Sequence, residues 1–560
     1  MSSSLWTYLV SSRAGAHPAQ RRLARLCFSA LLGLSLSSAI GCGEESGEVS
    51  KVRLELIPLE GQEAILTEGQ LVITPYDLDA QLAYSDVTFT LATRNGSIPP
   101  LPLGRWQFFL RGTGSSGSSF GVSAPFQVRE AEAVLVKAQL GIAECPGANN
   151  GLLRGEQVDG GEGDLPGASA GVQLSPLPDG RVLVSGGADL APDGSLAVVS
   201  NQLAVYDPRY GQFYALPITM SEPRAYHSAT TLSDGSILIA GGYRASGVPS
   251  ATAERIRLGV GGALISELVA GFGEARARHQ ATRLIDDTVL FSGGLGGGEQ
   301  PLASTTRFFP LEGIFRPQGP MEVPRLAHSQ SKLLQTQNPA VVMGGLSANG
   351  VVLDSVEAFT IDSQNQSRCA GNLSNTVTLS DTYGCFVPLE YPLPTPRWGH
   401  RVATFESYAE LLVIGGFQGG SLSAPETPVG AVALLNSSFS FNLVGSLAVP
   451  RGEGSVATLK DGSVIYLGGR DSGGHLAQTT LIRPQFGGDR VISALMEPSA
   501  CQLSEGRYQA AIAPLQGGAF LIAGGVLTGQ EAGAPVYRNS RRADLVFSNL
   551  QNISEVFPEP

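Results

Sequence analysis

"PRAYHSATTLSDGSILIAGG" runs from Pro223 to Gly242. It places Arg224 three residues before His227, then a Ser-Asp-Gly turn, an apolar run and the doublet Gly241–Gly242. An isolated Arg–His pair points towards catalysis or a metal. This pair is not isolated. Apolar runs closing on Gly-Gly recur as "VLVSGG", "ILIAGG", "VLFSGG", "AVVMGG", "LLVIGG", "VIYLGG" and "FLIAGG". Their first glycines are Gly186, Gly241, Gly293, Gly344, Gly415, Gly468 and Gly524, spaced 55, 52, 51, 71, 53 and 56 residues apart. The one long interval contains Cys369 and Cys385 and is expected to hold an insertion. Seven copies at a fixed period are the mark of a repeat architecture, in which no single unit buries its own faces.

Other marks keep the same step. Arg-x-x-His precedes the doublet at Arg224/His227, Arg276/His279, Arg325/His328 and Arg397/His400. Arg451 and Arg507 keep the arginine, with Gly454 and Ala510 where histidine would stand, and the first copy has neither. Asp-Gly at 179–180, 234–235 and 461–462 predicts a tight hairpin between the first two strands of a unit. With a period near fifty, the chain resembles kelch-repeat β-propellers of the galactose oxidase-like superfamily over residues 168–560. The resemblance implies a seven-bladed ring of four-stranded sheets. "VYDP" at 205–208 matches that family's tyrosine strand, while "RFFP" and "LIRP" are degenerate versions. The outer-strand tryptophan is missing, and Phe213 and Phe315 are its stand-ins. No Trp-Asp pair supports WD repeats, and no Gly-Gln-Leu-Gly motif supports the chromosome-condensation type of propeller.

Composition agrees. The 560 residues are 42% hydrophobic and only 15% charged, with 71 glycines and 35 prolines, which argues for many turns and short strands. The fold class is therefore all-β. Within 51–142, "KVRLEL", "DVTFTL" and "RWQFFL" alternate apolar and polar residues, as half-buried strands do. That region is expected to be a small β-sandwich, immunoglobulin-like or prealbumin-like. Residues 143–167 are glycine-rich and read as a linker. Its "DGGEGD" lacks the ligand spacing of a calcium loop.

The N-terminus reads as an address. Arg21, Arg22 and Arg25 precede the apolar stretch Leu26–Cys42, a basic region followed by the apolar core of a signal peptide. Ala39-Ile40-Gly41-Cys42 resembles a bacterial lipobox, which implies a signal over residues 1–41, a lipid on Cys42, and residues 42–50 as a tether. Gly43 after the cysteine favours outer-membrane sorting, on the periplasmic or cell-surface side. The four cysteines beyond Cys42 suggest disulfides in an exported chain: Cys369 with Cys385, which are close in sequence, and then Cys145 with Cys501. The formal net charge of −12 excludes a general nucleic-acid binder, since such proteins neutralise phosphates.

The expected chemistry is modest. Equivalent histidines in separate blades meet only if they line a narrow channel, so His227, His279, His328 and His400 are read as structural, with no metal and no catalytic residue assigned. Arg224, Arg276, Arg325, Arg397, Arg451 and Arg507 are the candidate ligand-binding residues, as a basic rim at the channel mouth. The copper-binding Tyr/His set of galactose oxidases, with its Tyr–Cys crosslink, has no counterpart among these residues, and no cofactor is expected. Gly293–Gly298 lacks the Gly-Lys-Ser/Thr of a phosphate loop. The loops after the doublets differ most, as in "YRASGVPS", "FQGGSLSAPETPVG" and "VLTGQEAGAPVYRNSR". Variable loops on a rigid scaffold are where recognition resides. The expected function is a non-enzymatic cell-envelope lipoprotein that binds a protein or glycan partner. The alternative is a carbohydrate-active enzyme (oxidase, lyase or epimerase) with its site at the channel mouth.

Overall fold

The computed structural model describes residues 6–13, 49–58, 70–90, 101–144, 151–154 and 165–547, with gaps of which 334–339 and 362–382 are the longest. Cys42, Cys145 and Cys369 lie outside the described residues, as does nearly all of the expected signal and tether. The chain divides into two units, residues 1–156 with 207–212 and 546–560, and residues 157–206 with 213–545.

In the first unit, Val49–Pro58 pairs in parallel with Ala133–Glu144 and antiparallel with Trp6–Arg13. Gly104–Gly114 pairs with Gln70–Asp77 on one side and with Gly117–Ser123 and Phe126–Val128 on the other. The predicted alternation is realised in the core: Val52, Leu54, Phe89, Trp106, Phe108 and Leu110 are buried together. Trp106 also donates its Nε1–H to the Pro102 carbonyl at 2.9 Å. A strand over Gly151–Arg154 pairs with Ala133–Glu144, so part of the expected linker is ordered as sheet.

The second unit is a seven-bladed β-propeller. Blade two is its pattern: Ser228–Thr231, Ile237–Ala240, Ala253–Leu258 and Leu264–Val269 pair antiparallel in that order. Each apolar run before a doublet is the second strand of a blade, and in Val182–Ser185, Ile237–Ala240, Val289–Ser292, Ala340–Met343, Glu410–Ile414 and Val464–Leu467 every residue is buried. Both faces of these strands are covered by neighbouring blades, which is why the runs are continuously apolar rather than alternating. The innermost strands, from Gln173–Pro176 to Ala511–Pro514, contact one another in sequence order, and the last meets the first. The ring thus closes between blades seven and one. Leu521 and Ala523 pack there with Val172, Val182 and Leu165, the last of which falls in the stretch expected to be linker.

The predicted hairpins are present. Gly180, Gly235 and Gly462 take φ values of 87°, 78° and 78° between first and second strands. Blade three does the same with Asp287 at φ 67°, held by Asp286 accepting the Thr288 N–H and hydroxyl. Phe213 lies against Tyr206 at 5.0 Å and Phe315 against Phe308 at 4.8 Å, each packing the fourth strand of its blade against the third.

Candidate functional site

The repeated motif resolves into a joint between blades. The second glycine of each doublet donates its N–H to the carbonyl of the next blade's motif arginine. This bond measures 2.9–3.0 Å at the six seams that reach an arginine, and 3.3 Å where Gly525 meets Ser169 and closes the ring. The first glycine is fixed by the same contact. A Cβ on Gly241 would lie 2.5 Å from the Arg276 carbonyl oxygen and 2.8 Å from the His279 ring. Doublet and Arg-x-x-His are therefore two halves of one seam.

The arginine side chains do not form a rim. Arg224, Arg276, Arg325, Arg397, Arg451 and Arg507 are 0–1% exposed. Arg224 Nη1 donates to the Gly241 and Thr252 carbonyls at 2.8 and 3.1 Å, and Arg276, Arg325 and Arg397 repeat that pattern in their own blades. Arg451 reaches Gly468 O at 2.9 Å through Nε. The expectation of a ligand-facing basic rim is corrected on this point: the guanidinium groups lie inside the blades, five of them spent on carbonyls that strand pairing leaves over and Arg507 on the Asp544 carboxylate. Blades two, four and seven add a buried acid to the arginine, as Glu254, Glu357 and Asp544. Blades three and five have Thr306 and Ala433 at that position. There, burial lowers Arg276 and Arg397 to about 10.

The histidines are buried staples. His227, His279, His328 and His400 bond through Nε2 to Ser185, Ser228, Ser292 and Ser329 of the preceding blade, at 2.7–3.0 Å. Burial, assisted by the neighbouring arginine charge, lowers His227 to about 3 and the other three well below the usual imidazole range. In blade six Gly454 leaves room for Tyr466, whose ring and hydroxyl occupy the imidazole's place against the Arg451 carbonyl. No group of three or more His, Cys, Asp and Glu able to hold a metal occurs among the described residues. Cys385 is buried and disulfide-bonded. Cys501 lies in the strand Arg490–Gln502.

The position sequence reasoning missed is the third of the motif. Its seven occupants, Gly171, Tyr226, Arg278, Ala327, Gly399, Glu453 and Gln509, all have φ between 50° and 67°. Only two are glycine. Successive members are hydrogen-bonded around the channel: Tyr226 N to Gly171 O, Arg278 N to Tyr226 O, Gly399 N to Ala327 O, Glu453 N to Gly399 O and Gln509 N to Glu453 O, at 2.7–3.0 Å. Left-handed backbone at a non-glycine residue costs about 1–3 kcal/mol and persists only where its surroundings impose it. Here the closed ring imposes it five times.

All seven line a chamber of about 400 Å³ in the channel, with Gln173, Ser228, Thr230, Gln280, Arg401 and Leu422. Arg278 stacks on Tyr226, its Cζ 3.6 Å from the ring centroid. Glu453 binds Arg470 Nε at 2.5 Å and accepts the Gln509 amide at 2.6 Å. Two of the loops expected to carry recognition are hairpins, Phe417–Gly420 with Pro425–Pro428 and Val526–Glu531 with Ala534–Asn539. Together with Ala188–Leu190 and Leu196–Val199 of blade one, they meet at this end of the channel. Tyr537 donates its hydroxyl to Ser423 O at 2.8 Å and its N–H to Pro192 O at 3.0 Å, while Arg470 donates to Leu422 O at 2.5 Å.

No protein-family description and no curated protein matches the sequence. Among solved structures, the chain is similar to a fungal alcohol oxidase of the AA5 family in complex with copper, at 14% identity and a TM-score of 0.48, over 69% of this chain and 75% of that one. It is also similar to YjhT, at 14% identity and a TM-score of 0.39, over 58% and 95% of the two chains.

Proposed function

We propose that this chain is a non-enzymatic cell-envelope lipoprotein, anchored through Cys42, whose kelch-type propeller binds a protein or glycan partner at the end of the channel where the three hairpins meet. The observation that carries the reading is the convergence of three separately inserted hairpins on one polar-lined chamber. Blades two to four have no such hairpin after the doublet among the described residues, only short turns there, so the insertions are confined to the parts that meet. Chambers of this volume, with a few oriented polar groups, are of the size that holds small ligands. A larger partner would engage the same hairpins from outside.

The alternative is a carbohydrate-active enzyme. One observation favours it: Tyr226, Arg278 and Glu453 share the chamber. Both glutamate oxygens already accept hydrogen bonds, which favours binding over proton transfer.

A glycan and surface-protein array probed with the full-length chain tests the reading. The expected result is a discrete set of binders, lost when Leu422 and Tyr537 are both replaced by Ala. Turnover of a carbohydrate bound there, abolished by Glu453→Gln, would select the enzyme instead. Intact-mass measurement of the purified protein tests the anchor, with a diacyl or triacyl addition on a chain beginning at Cys42 as the expected outcome.

A further inference from the structure

Three arginines stand at or beside the channel chamber, and one of them is ion-paired. Arg401 gives its Nε–H to the Gly454 carbonyl at 2.7 Å. Arg470 is paired with Glu453 and bonded to Leu422 O. Arg278 is different. Among the described residues no carboxylate lies within ion-pair distance of it, and its neighbours are two phenols, Tyr226 beneath the guanidinium and Tyr243 with its centroid at 6.0 Å. Glu453 lies within electrostatic reach, with its oxygens on Arg470 and Gln509. The Arg278 backbone is held left-handed at φ 54° by its ring bond to Tyr226 O, so the side chain is aimed by the closed ring rather than by local preference.

We infer that Arg278 is the anchor of an anion site in the chamber, and that the ligand is a small hydroxylated carboxylate such as a sugar acid. This deepens the binding reading above and rests on it. The choice of carboxylate follows from charge and shape. The Arg278 guanidinium, bonded to the Tyr226 and Tyr243 phenols but to no carboxylate, matches one planar monoanion through paired N–H donors. Phosphate is the competing ligand, since Arg401 lines the chamber without a carboxylate partner, and the titration below decides between the two. A partly enclosed cation stacked on an aromatic face loses water yet keeps its charge, so an incoming carboxylate meets an unscreened partner. Gln173, Ser228, Thr230 and Gln280 line the same chamber, and their amides and hydroxyls suit the hydroxyl groups of such a ligand.

The test is calorimetric titration of the full-length chain with glucuronate, gluconate and quinate. Each carboxylate is set against its neutral methyl ester, and inorganic phosphate is run beside them. The expected result is at least one acid bound tenfold or more tightly than its ester, with phosphate weaker than that acid. Arg278→Asn should bring acid and ester to parity. Asparagine tolerates the left-handed backbone, so an unchanged thermal midpoint separates loss of the anchor from loss of the fold. Arg278→Lys should retain part of the preference, since it keeps the charge without the planar fork. The inference is overturned if ester and acid bind alike, if Arg278→Asn keeps the preference, if phosphate is the better ligand, or if no carboxylate binds. Array binders that persist in Arg278→Asn would leave the wider binding reading standing while this inference fails. Loss of all array binding by the unmodified chain would remove that reading first.

Discussion

Arg276 and Arg278 stand two residues apart and belong to different regions. Arg276 lies in a seam between blades, 1% exposed and spent on the Gly293 and Ser304 carbonyls. Arg278 lies in the channel, stacked on a tyrosine with no carboxylate paired to it among the described residues. The seam position is arginine in six blades of seven, because each blade asks the same thing of it. The channel position holds six residue types in seven blades, because nothing in the blade dictates its side chain. Within one chain, repetition marks what the scaffold needs, and variation at a fixed geometry marks where chemistry can differ.

That contrast can be broken at the seam, beginning with the largest effect. Gly241→Ala places a Cβ 2.5 Å from the Arg276 carbonyl at φ 64°, in space backbone already fills. We expect a loss above about 4 kcal/mol, read as failure to express folded protein or as a collapse of the thermal midpoint. Gly247→Ala, where a Cβ meets nothing within 4 Å, is the control and should cost about 1–2 kcal/mol from its left-handed backbone alone.

Next is the buried acid of blade two. Glu254 carries the Arg224 Nε–H at 3.2 Å, the Ser266 hydroxyl at 2.9 Å and the Ser221 N–H at 3.0 Å. Glu254→Gln should cost about 1–3 kcal/mol, since it removes one of two carboxylates from a buried guanidinium and leaves Glu222 at 3.1 Å. Denaturant midpoints check it. An effect below about 1 kcal/mol would show that Glu222 and the carbonyls suffice for Arg224.

The histidine staples predict an acid limit. His227 has a folded value of about 3 against 6.5 for a free imidazole, so below pH 6.5 the unfolded chain takes up the proton first. The stability tied to this group is full above pH 6.5 and is lost as pH falls towards 3. At pH 5 the loss is about 2 kcal/mol for this residue. His227→Gln should flatten that part of the pH–stability curve, and an unchanged slope would place the titration elsewhere. The smallest effect is in blade six. Tyr466→Phe removes the hydroxyl beside the Arg451 carbonyl and the Gly454 N–H, and should cost about 1 kcal/mol in thermal stability, with no pH slope.

Much of this was legible in the residues. The doublet spacing carried the blade number, the apolar runs carried the second strands, and the Asp-Gly pairs carried the hairpins. The arginines were read correctly as recurrent and wrongly as a rim. Whether a guanidinium points out of a blade or into it depends on carbonyls contributed by a strand some thirty residues later, as Thr252 and Ser304 are. Tyr466 in the place of histidine was hidden for a related reason, since the two positions share only a location in space.

The sequence alone determined the repeat, and through it the class, the blade count and the strand order, because a unit that cannot bury its own faces must stack on copies of itself. Closure decided the rest. Only a complete ring brings Gly525 to Ser169, bends five non-glycine residues into left-handed backbone, and gathers Tyr226, Arg278 and Glu453 into one chamber. These three residues come from blades two, three and six. No local pattern records their meeting, because the axis they share exists only when the seventh blade meets the first.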